Sequence, residues 1–188
     1  MPFDEYLSHS IFDPLSMNDT GFHVQQEKIE RFATVYGLTP SGELSPIGLP
    51  SEKRYTQRPG FLSGGDGLVS TAPDYLKFCQ MMLNGGELEG TRLLSRKTVE
   101  LMTTNHLRDQ PFRAGQGFGL GFSIVENVGA RGLPGSKGEY GWGGAYHSTY
   151  WVDPVEDLVV VYLTQLIPAR GLDDQGRLRA LIYQAIED

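Results

Sequence analysis

The sequence predicts an α+β fold: an antiparallel sheet with flanking helices. Amphipathic stripes with helix caps concentrate before residue 110. Alternating and continuous apolar runs follow between 111 and 165, and one more helical pattern closes the chain. Helices, then three or four antiparallel strands, then a helix is an α+β order, not the alternation of a parallel sheet. A length of 188 residues fits one domain over 1–188, with a helical and loop part over 1–110 and the strands and C-terminal helix over 111–188.

Residues 2–10 read as a short helix, with Pro2 suited to a first turn and Asp4 and Glu5 near the positive end of the helix dipole. Pro14 then predicts an extended Asp13. Residues 35–62, with Gly37, Pro40, Gly42, Pro46 and Gly48, show little periodicity and read as a long surface excursion. Thr71-Ala72-Pro73-Asp74 is a helix-start signal. Tyr75, Phe78 and Met82 with Leu76, Cys79 and Leu83 give its apolar stripe, and Gly85-Gly86 its stop. Ser95 starts a shorter helix that buries Val99 and Met102.

Gly117 to Ile124 alternates with period two and reads as one strand, its Phe118, Leu120 and Phe122 stripe in the core. The glycines on its other face mean that something packs very close or that the sheet bends there. Gly138 to Tyr146, returning as Tyr150-Trp151-Val152-Asp153-Pro154, is a hairpin with strands at about 137–142 and 146–152. Its Gly-rich tip bares main-chain N–H groups, as one wall of an oxyanion pocket requires. Leu158 to Leu163 is a strand covered on both faces. Asp173 or Asp174 caps a last helix with Leu178, Leu181, Ile182 and Ala185 on its apolar side.

Net charge is −7, with no cluster of five or more Lys and Arg, which disfavours nucleic acid as a partner. Cys79, the single cysteine, reads as a buried, inert thiol. His9, His23, His106 and His147 match no metal-ligand spacing, so neither a metal nor another cofactor is expected. There is no apolar run long enough for a membrane span. No signal peptide is visible at the start, so the location is cytoplasmic if the chain is complete and otherwise open.

Several blocks resemble the serine β-lactamase-like superfamily of AmpC-type β-lactamases, penicillin-binding carboxypeptidases and esterases of the same fold. They are Pro14-Leu15-Ser16-Met17 with Asp19-Thr20, and Gly64 to Ala72 with Asp74, Tyr75 and Phe78. Leu83 to Gly86, Gly117 to Phe122 and Gly141-Trp142-Gly143-Gly144-Ala145 complete the set. The blocks run in family order over about residues 3–165, and the Trp-Gly-Gly form looks most like the esterase branch.

The resemblance covers only the C-terminal half of such a protein, which makes this a partial β-lactamase/transpeptidase-like domain. Family catalysis uses S-x-x-K and a Y-x-N motif. No lysine here has a serine three residues before it, and none of the nine tyrosines has an asparagine two residues after it. The resemblance implies that both motifs lie upstream of Met1, and that Trp142-Gly143-Gly144 is the K-T-G-type strand. On that reading Gly144 admits the acyl group, Ala145 donates its N–H to the oxyanion, and Trp142 is a flat apolar wall where a lysine would offer charge. Neutral esters are then weighted above penicillins. Gly143, Tyr146, Asp66 and His147 join Trp142 as substrate-binding candidates.

Bland alternatives stand beside these roles. Trp142 reads equally as a sheet aromatic, His147 as a partly exposed strand histidine and Asp66 as a loop or capping residue. Ser63 lies in no G-x-S-x-G motif and belongs to a turn. The expectation is the C-terminal portion of a serine hydrolase, of carboxylesterase or β-lactamase type, using acyl-enzyme chemistry on a small ester or amide. The chain alone is then inactive, and its Leu158–Leu163 edge pairs with an N-terminal fragment or a second copy. The alternatives are a non-catalytic binding module and an inactive truncated product of the same fold.

Overall fold

The computed structural model describes residues 1–48, 53–107, 110 and 112–187. Helix α1 (Phe3–Leu7) continues without a break into a π-helical turn over Ser8–Phe12. Asp13 is helical, at φ −64° and ψ −47°, which corrects the extended conformation expected before Pro14. The wider turn resolves the conflict: Asp13 N–H reaches Ser8 O at 2.8 Å and Met17 N–H reaches Phe12 O at 2.8 Å. The i→i−5 spacing leaves room for the proline ring. Phe12, Leu15 and Met17 thereby enter the core.

After a 3₁₀ turn at Gln26–Arg31, the expected excursion over 35–62 contains defined structure, apart from 49–52, which lie outside the described residues. Strands β1 (Val35–Leu38) and β2 (Leu44–Gly48) form a hairpin, and helix α2 (Lys53–Thr56) follows. The sequence hides this hairpin because Pro46 and a register irregularity at Val35/Tyr36 break its alternation. The free edge of β1 meets the segment after the main sheet, with Tyr36 N–H donating to Gln165 O and Ile167 N–H to Tyr36 O.

Helix α3 (Ala72–Leu83) begins as expected, with Thr71 Oγ1 accepting from Asp74 N–H. Cys79, Met81 and Met82 are its buried residues of apolar type, while Leu76 is exposed and drops out of the stripe. The tight turn after α3 feeds the minimal hairpin β3 (Glu87–Leu88) and β4 (Thr91–Arg92). Helix α4 (Arg96–Met102) follows, capped by Ser95 Oγ on Thr98 N–H.

The main sheet has five antiparallel strands: β5 (Gln116–Phe118), β6 (Ser123–Val125), β7 (Tyr140–Gly143), β8 (Thr149–Asp153) and β9 (Leu158–Tyr162), in that spatial order. Helix α5 (Val128–Arg131) lies between β6 and β7, and α6 (Asp174–Gln184) closes the chain. The alternating run 117–124 is therefore two strands, with Phe118 opposite Ser123. The chain reverses at Gly121, whose φ of +97° suits glycine. A Cβ on Gly117 would stand 2.2 Å from the Asn105 side chain, so the bare face marks both a close approach and a bend. Of the expected core stripe, Phe122 is buried and Leu120 is exposed.

One face of the sheet presents Ile124, Tyr140 and Val152 to Phe12, Leu15, Met17, Cys79 and Met82. Burial pushes the Cys79 thiol up to about 12, as suits an inert residue. The other face receives α6 through polar contacts, which corrects the apolar side expected for this helix. Leu181 is exposed, and the buried residue is Arg179. Its guanidinium makes two bonds to Glu139, of 2.6 and 2.9 Å, and lies 4.0 Å from the Trp151 ring centre. Arg131 adds a bond to Glu139, and the Tyr183 hydroxyl stands within reach of both Glu139 and Asp153. No strand among the described residues pairs with the outer edge of β9.

Candidate active site

Strand β7 is unequally flanked. Its pairing with β6 stops at Ser123 opposite Gly141, whereas its pairing with β8 runs on to Gly143 opposite Thr149. From Trp142 onward, β7 has a strand on one side only among the described residues. Gly144 N–H donates to Ser148 O at 2.8 Å, so even-numbered residues bond towards β8. The alternation of an antiparallel ladder then turns the N–H and C=O of Gly143 to the open side. Gly143, Gly144 and Ala145 are all exposed there.

The three glycines around Trp142 are glycine for different reasons. A Cβ on Gly141 would lie 2.2 Å from Tyr150 O and 2.9 Å from Trp151 Cα, so packing forbids a side chain. A Cβ on Gly143 would come 3.3 Å from Ser148 O, a tight but local contact. At Gly144 the nearest atom would be Ser148 Cβ at 4.0 Å, ordinary contact. Among the described residues, nothing stands close enough to require Gly144 to lack a side chain.

The tip over 144–148 is held from behind. His147 sits at φ +65°, and its N–H donates to Gly144 O. His147 Nε2 is 2.7 Å from Asp174 Oδ1, and Gln175 Nε2 donates to His147 O. The Tyr162 hydroxyl donates to the second oxygen of Asp174. The hydrogen bond from His147 holds the Asp174 carboxyl below its usual range; partial burial opposes this and Tyr162 adds to it. Thr164 and Leu166 bond to Tyr146 O, and Ser148 Oγ donates to Thr164 O. The His147 ring is thus engaged with α6 and buttresses the turn. Tyr146 points its hydroxyl at that of Tyr55, 3.3 Å away.

Trp142 is 38% exposed and belongs to an aromatic cluster beside the open edge. Its ring lies 5.1 Å from Phe118, edge-on, and 5.8 Å from Phe112. The Arg113 guanidinium sits 4.9 Å from the Phe112 ring centre and 5.6 Å from that of Trp142. Sequence reasoning did not single out Phe112 or Arg113. They lie in a loop without periodicity, and only folding brings them to Trp142. Asp66 is an exposed residue of the turn after Ser63, and the helix start that it was an alternative cap for is capped by Thr71.

Elsewhere, a cavity of about 90 Å³ is lined by residues of 18–32 and 69–71, none of them in the 142–148 tip. Arg31 and Lys28 clamp Asp19 there and hold its carboxyl below the usual range. Among the described residues, no group of three or more His, Cys, Asp or Glu could hold a metal. No described helix is long and apolar enough to cross a membrane.

A family model described as Beta-lactamase matches residues 1–184. The chain belongs to the Beta-lactamase family. Within it, an uncharacterized protein of Mycobacterium tuberculosis (strain CDC 1551 / Oshkosh) is 37% identical over 186 residues, which cover 92% of this chain and 45% of the relative. A putative D-alanyl-D-alanine carboxypeptidase of Escherichia coli (strain K12) is 27% identical over 181 residues, 87% of this chain and 40% of the relative. Among solved structures, EstCE1, a hydrolase with promiscuous acyltransferase activity, superposes with a TM-score of 0.80 at 25% identity, over 97% of this chain and 51% of its own. Simvastatin synthase (LovD) of Aspergillus terreus gives 0.81 at 22% identity, over 100% and 51%, a likeness of fold. The chain spans about half the length of the curated relatives that it matches. The Beta-lactamase family match and these neighbours bear out both the resemblance and the α+β fold class read from the sequence blocks.

Proposed function

We propose that this chain supplies the oxyanion strand of a β-lactamase-family serine hydrolase that acts on small esters or amides through an acyl-enzyme. The observation that carries this reading is the open edge of β7 beyond Gly141, where no described residue packs closely enough to require a glycine at 144. The similarity to EstCE1, described as a hydrolase, supports the ester side of the proposal.

In the proposed reaction the substrate acyl group lies along β7 with its carbonyl oxygen towards Ala145 N–H. A serine outside these residues attacks the carbonyl carbon, and the C=O π electrons move to the oxygen. Ala145 N–H and a donor at the serine stabilise the oxyanion. Collapse expels the leaving group, which takes up the serine proton through neighbouring acid–base groups. Water then cleaves the serine ester by the same route. A Cβ at residue 144 would stand between the acyl group and the strand, which accounts for the glycine. Trp142 forms the wall beside the acyl group, and His147, through Asp174, holds the turn that presents Ala145.

The test uses the full-length protein that contains this segment. Turnover of p-nitrophenyl butyrate, with a fluorophosphonate adduct on one serine outside residues 1–188, is expected. Absence of both, in a folded full-length protein, would return the chain to the reading of a binding module.

A further inference from the structure

The turn that presents Ala145 is held only lightly by its own backbone. Within 144–148, Gly144 N–H donates to Ser148 O and His147 N–H to Gly144 O. Among the described residues nothing accepts from Ala145 N–H, so this donor is free and the turn alone sets its direction. His147 stands at φ +65°, a left-handed conformation that persists in a residue other than glycine when its surroundings hold it there.

Those surroundings are the first two residues of α6, which grip His147 by its ring and by its peptide. His147 Nε2 is 2.7 Å from Asp174 Oδ1, and because a carboxylate only accepts, the ring proton between them belongs to Nε2. Gln175 Nε2 donates to His147 O at 2.8 Å and stands 3.5 Å from Nδ1, so one amide group addresses both the carbonyl and the ring of the same residue. The second Asp174 oxygen accepts from the Tyr162 hydroxyl at 2.8 Å, which ties the grip to the end of β9. One turn further along α6, Arg179 is bonded to Glu139, the residue before β7. The helix is therefore anchored near the start of β7 and holds the turn at its end.

Resting on the acyl-transfer reading above, we propose that Asp174 and Gln175 are positioning residues that aim the oxyanion donor. They touch no substrate and act through His147, whose ring and carbonyl they clamp so that Ala145 N–H keeps one direction. A donor fixed beforehand stabilises the oxyanion without turning during the reaction. Misplacement of such a group by about 1 Å costs on the order of 100-fold in rate.

The test compares Gln175→Met, Asp174→Ala and Asp174→Asn in the full-length protein. Methionine keeps the length of the side chain and loses its donors. Asparagine keeps an acceptor oxygen for Nε2–H, and the Tyr162 hydroxyl can accept from its amide. With p-nitrophenyl butyrate, kcat is expected to fall roughly tenfold in Gln175→Met and Asp174→Ala at little change in KM, and Asp174→Asn should retain most of the rate. The thiono analogue of the same ester forms its charge on sulfur, a weak acceptor, so it depends less on the donor. The ratio of butyrate to thionobutyrate rates should shrink in the two disruptive variants and stay near that of the unmodified protein in Asp174→Asn, a pattern that lost stability alone does not produce. Amide exchange at Gly144 and His147, followed by NMR, needs no turnover and should quicken in the same two variants. Gln175→Met removes no charge and decides the question if Asp174→Ala does not fold. Unchanged rates and exchange, or equal losses on both esters, would overturn the positioning role. Absence of turnover in the unmodified protein, with exchange quickened by the variants, would overturn the acyl-transfer reading and leave the clamp on the turn standing.

Discussion

Gly141 and Gly144 are three residues apart and glycine for opposite reasons. Gly141 faces the β8 backbone, where a Cβ would overlap Tyr150 O, so Gly141→Ala is expected to cost about 1–3 kcal/mol through forced displacement. Gly144→Ala meets ordinary contact and should leave the melting temperature within about a degree. Thermal denaturation of the two variants checks the contrast, and equal destabilisation would place Gly144 in the packing. Trp142→Ala should change the preference among acyl chain lengths more than it changes stability, because the indole is partly exposed at the end of β7. A large fall in melting temperature, with the same loss of rate for every chain length, would make Trp142 a core residue.

At the scale of elements, α6 is held to the sheet by ions where the sequence suggests an apolar stripe. Arg179→Ala leaves Glu139 buried with Arg131 as its remaining cation and is expected to cost about 3 kcal/mol, read by urea unfolding. A loss below about 1 kcal/mol would show the pair to be a surface contact in effect. Asp174 and Asp19 have folded-state values below the ordinary carboxylate range. Their contacts therefore stabilise the fold above the unfolded value near ~3.9 and are lost as acid carries the pH down through the depressed folded values. Stability should be flat near neutrality and fall below about pH 4, and Asp174→Asn should reduce that acid sensitivity. An acid transition unaffected by Asp174→Asn would mean that the His147 contact contributes nothing to it.

What the sequence made legible follows the range of the interactions. The starts of α3 and α4 were readable because each cap is a bond between a hydroxyl and an N–H three residues on. The β7–β8 hairpin was readable from its glycines and aromatics, although its strands are shorter than expected and its tip is wider. The run 117–124 was misread because its alternation is the same in one strand as in two arms of a hairpin, and Gly121 was the punctuation. Arg179 was missed because an arginine reads as solvent-facing until its partner Glu139, distant in sequence, is placed. Arg113 was missed because it lies in a loop without periodicity that only folding brings to Trp142.

For the whole molecule, β9 is the decisive edge. It pairs with β8 on one side, and among the described residues no strand pairs with the other. Leu158 to Tyr162 are all partly exposed, so the strand is less covered than its apolar composition predicts. An apolar edge with unpaired N–H and C=O groups recruits another strand. Residues 1–188 expressed alone are expected to self-associate or to be solubilised by a co-expressed N-terminal fragment, and to lack esterase activity without it. Light scattering that shows a monodisperse monomer, with slow amide exchange across 158–162, would mean that the chain covers this edge by itself.

The most direct measurement concerns residue 144 within the full-length protein. If substrate lies along the open edge of β7, Gly144→Val fills the space between acyl group and strand and misaligns the Ala145 N–H, at a position where an added Cβ meets only ordinary contact among the described residues. Loss of one oxyanion donor costs on the order of 10²–10³ in rate. The expected result is a fall of that order in kcat/KM for p-nitrophenyl butyrate, with a melting temperature within a few degrees of the unmodified protein. Activity within about threefold of the unmodified protein, at equal stability, would contradict the assignment of this edge as the site of acyl transfer.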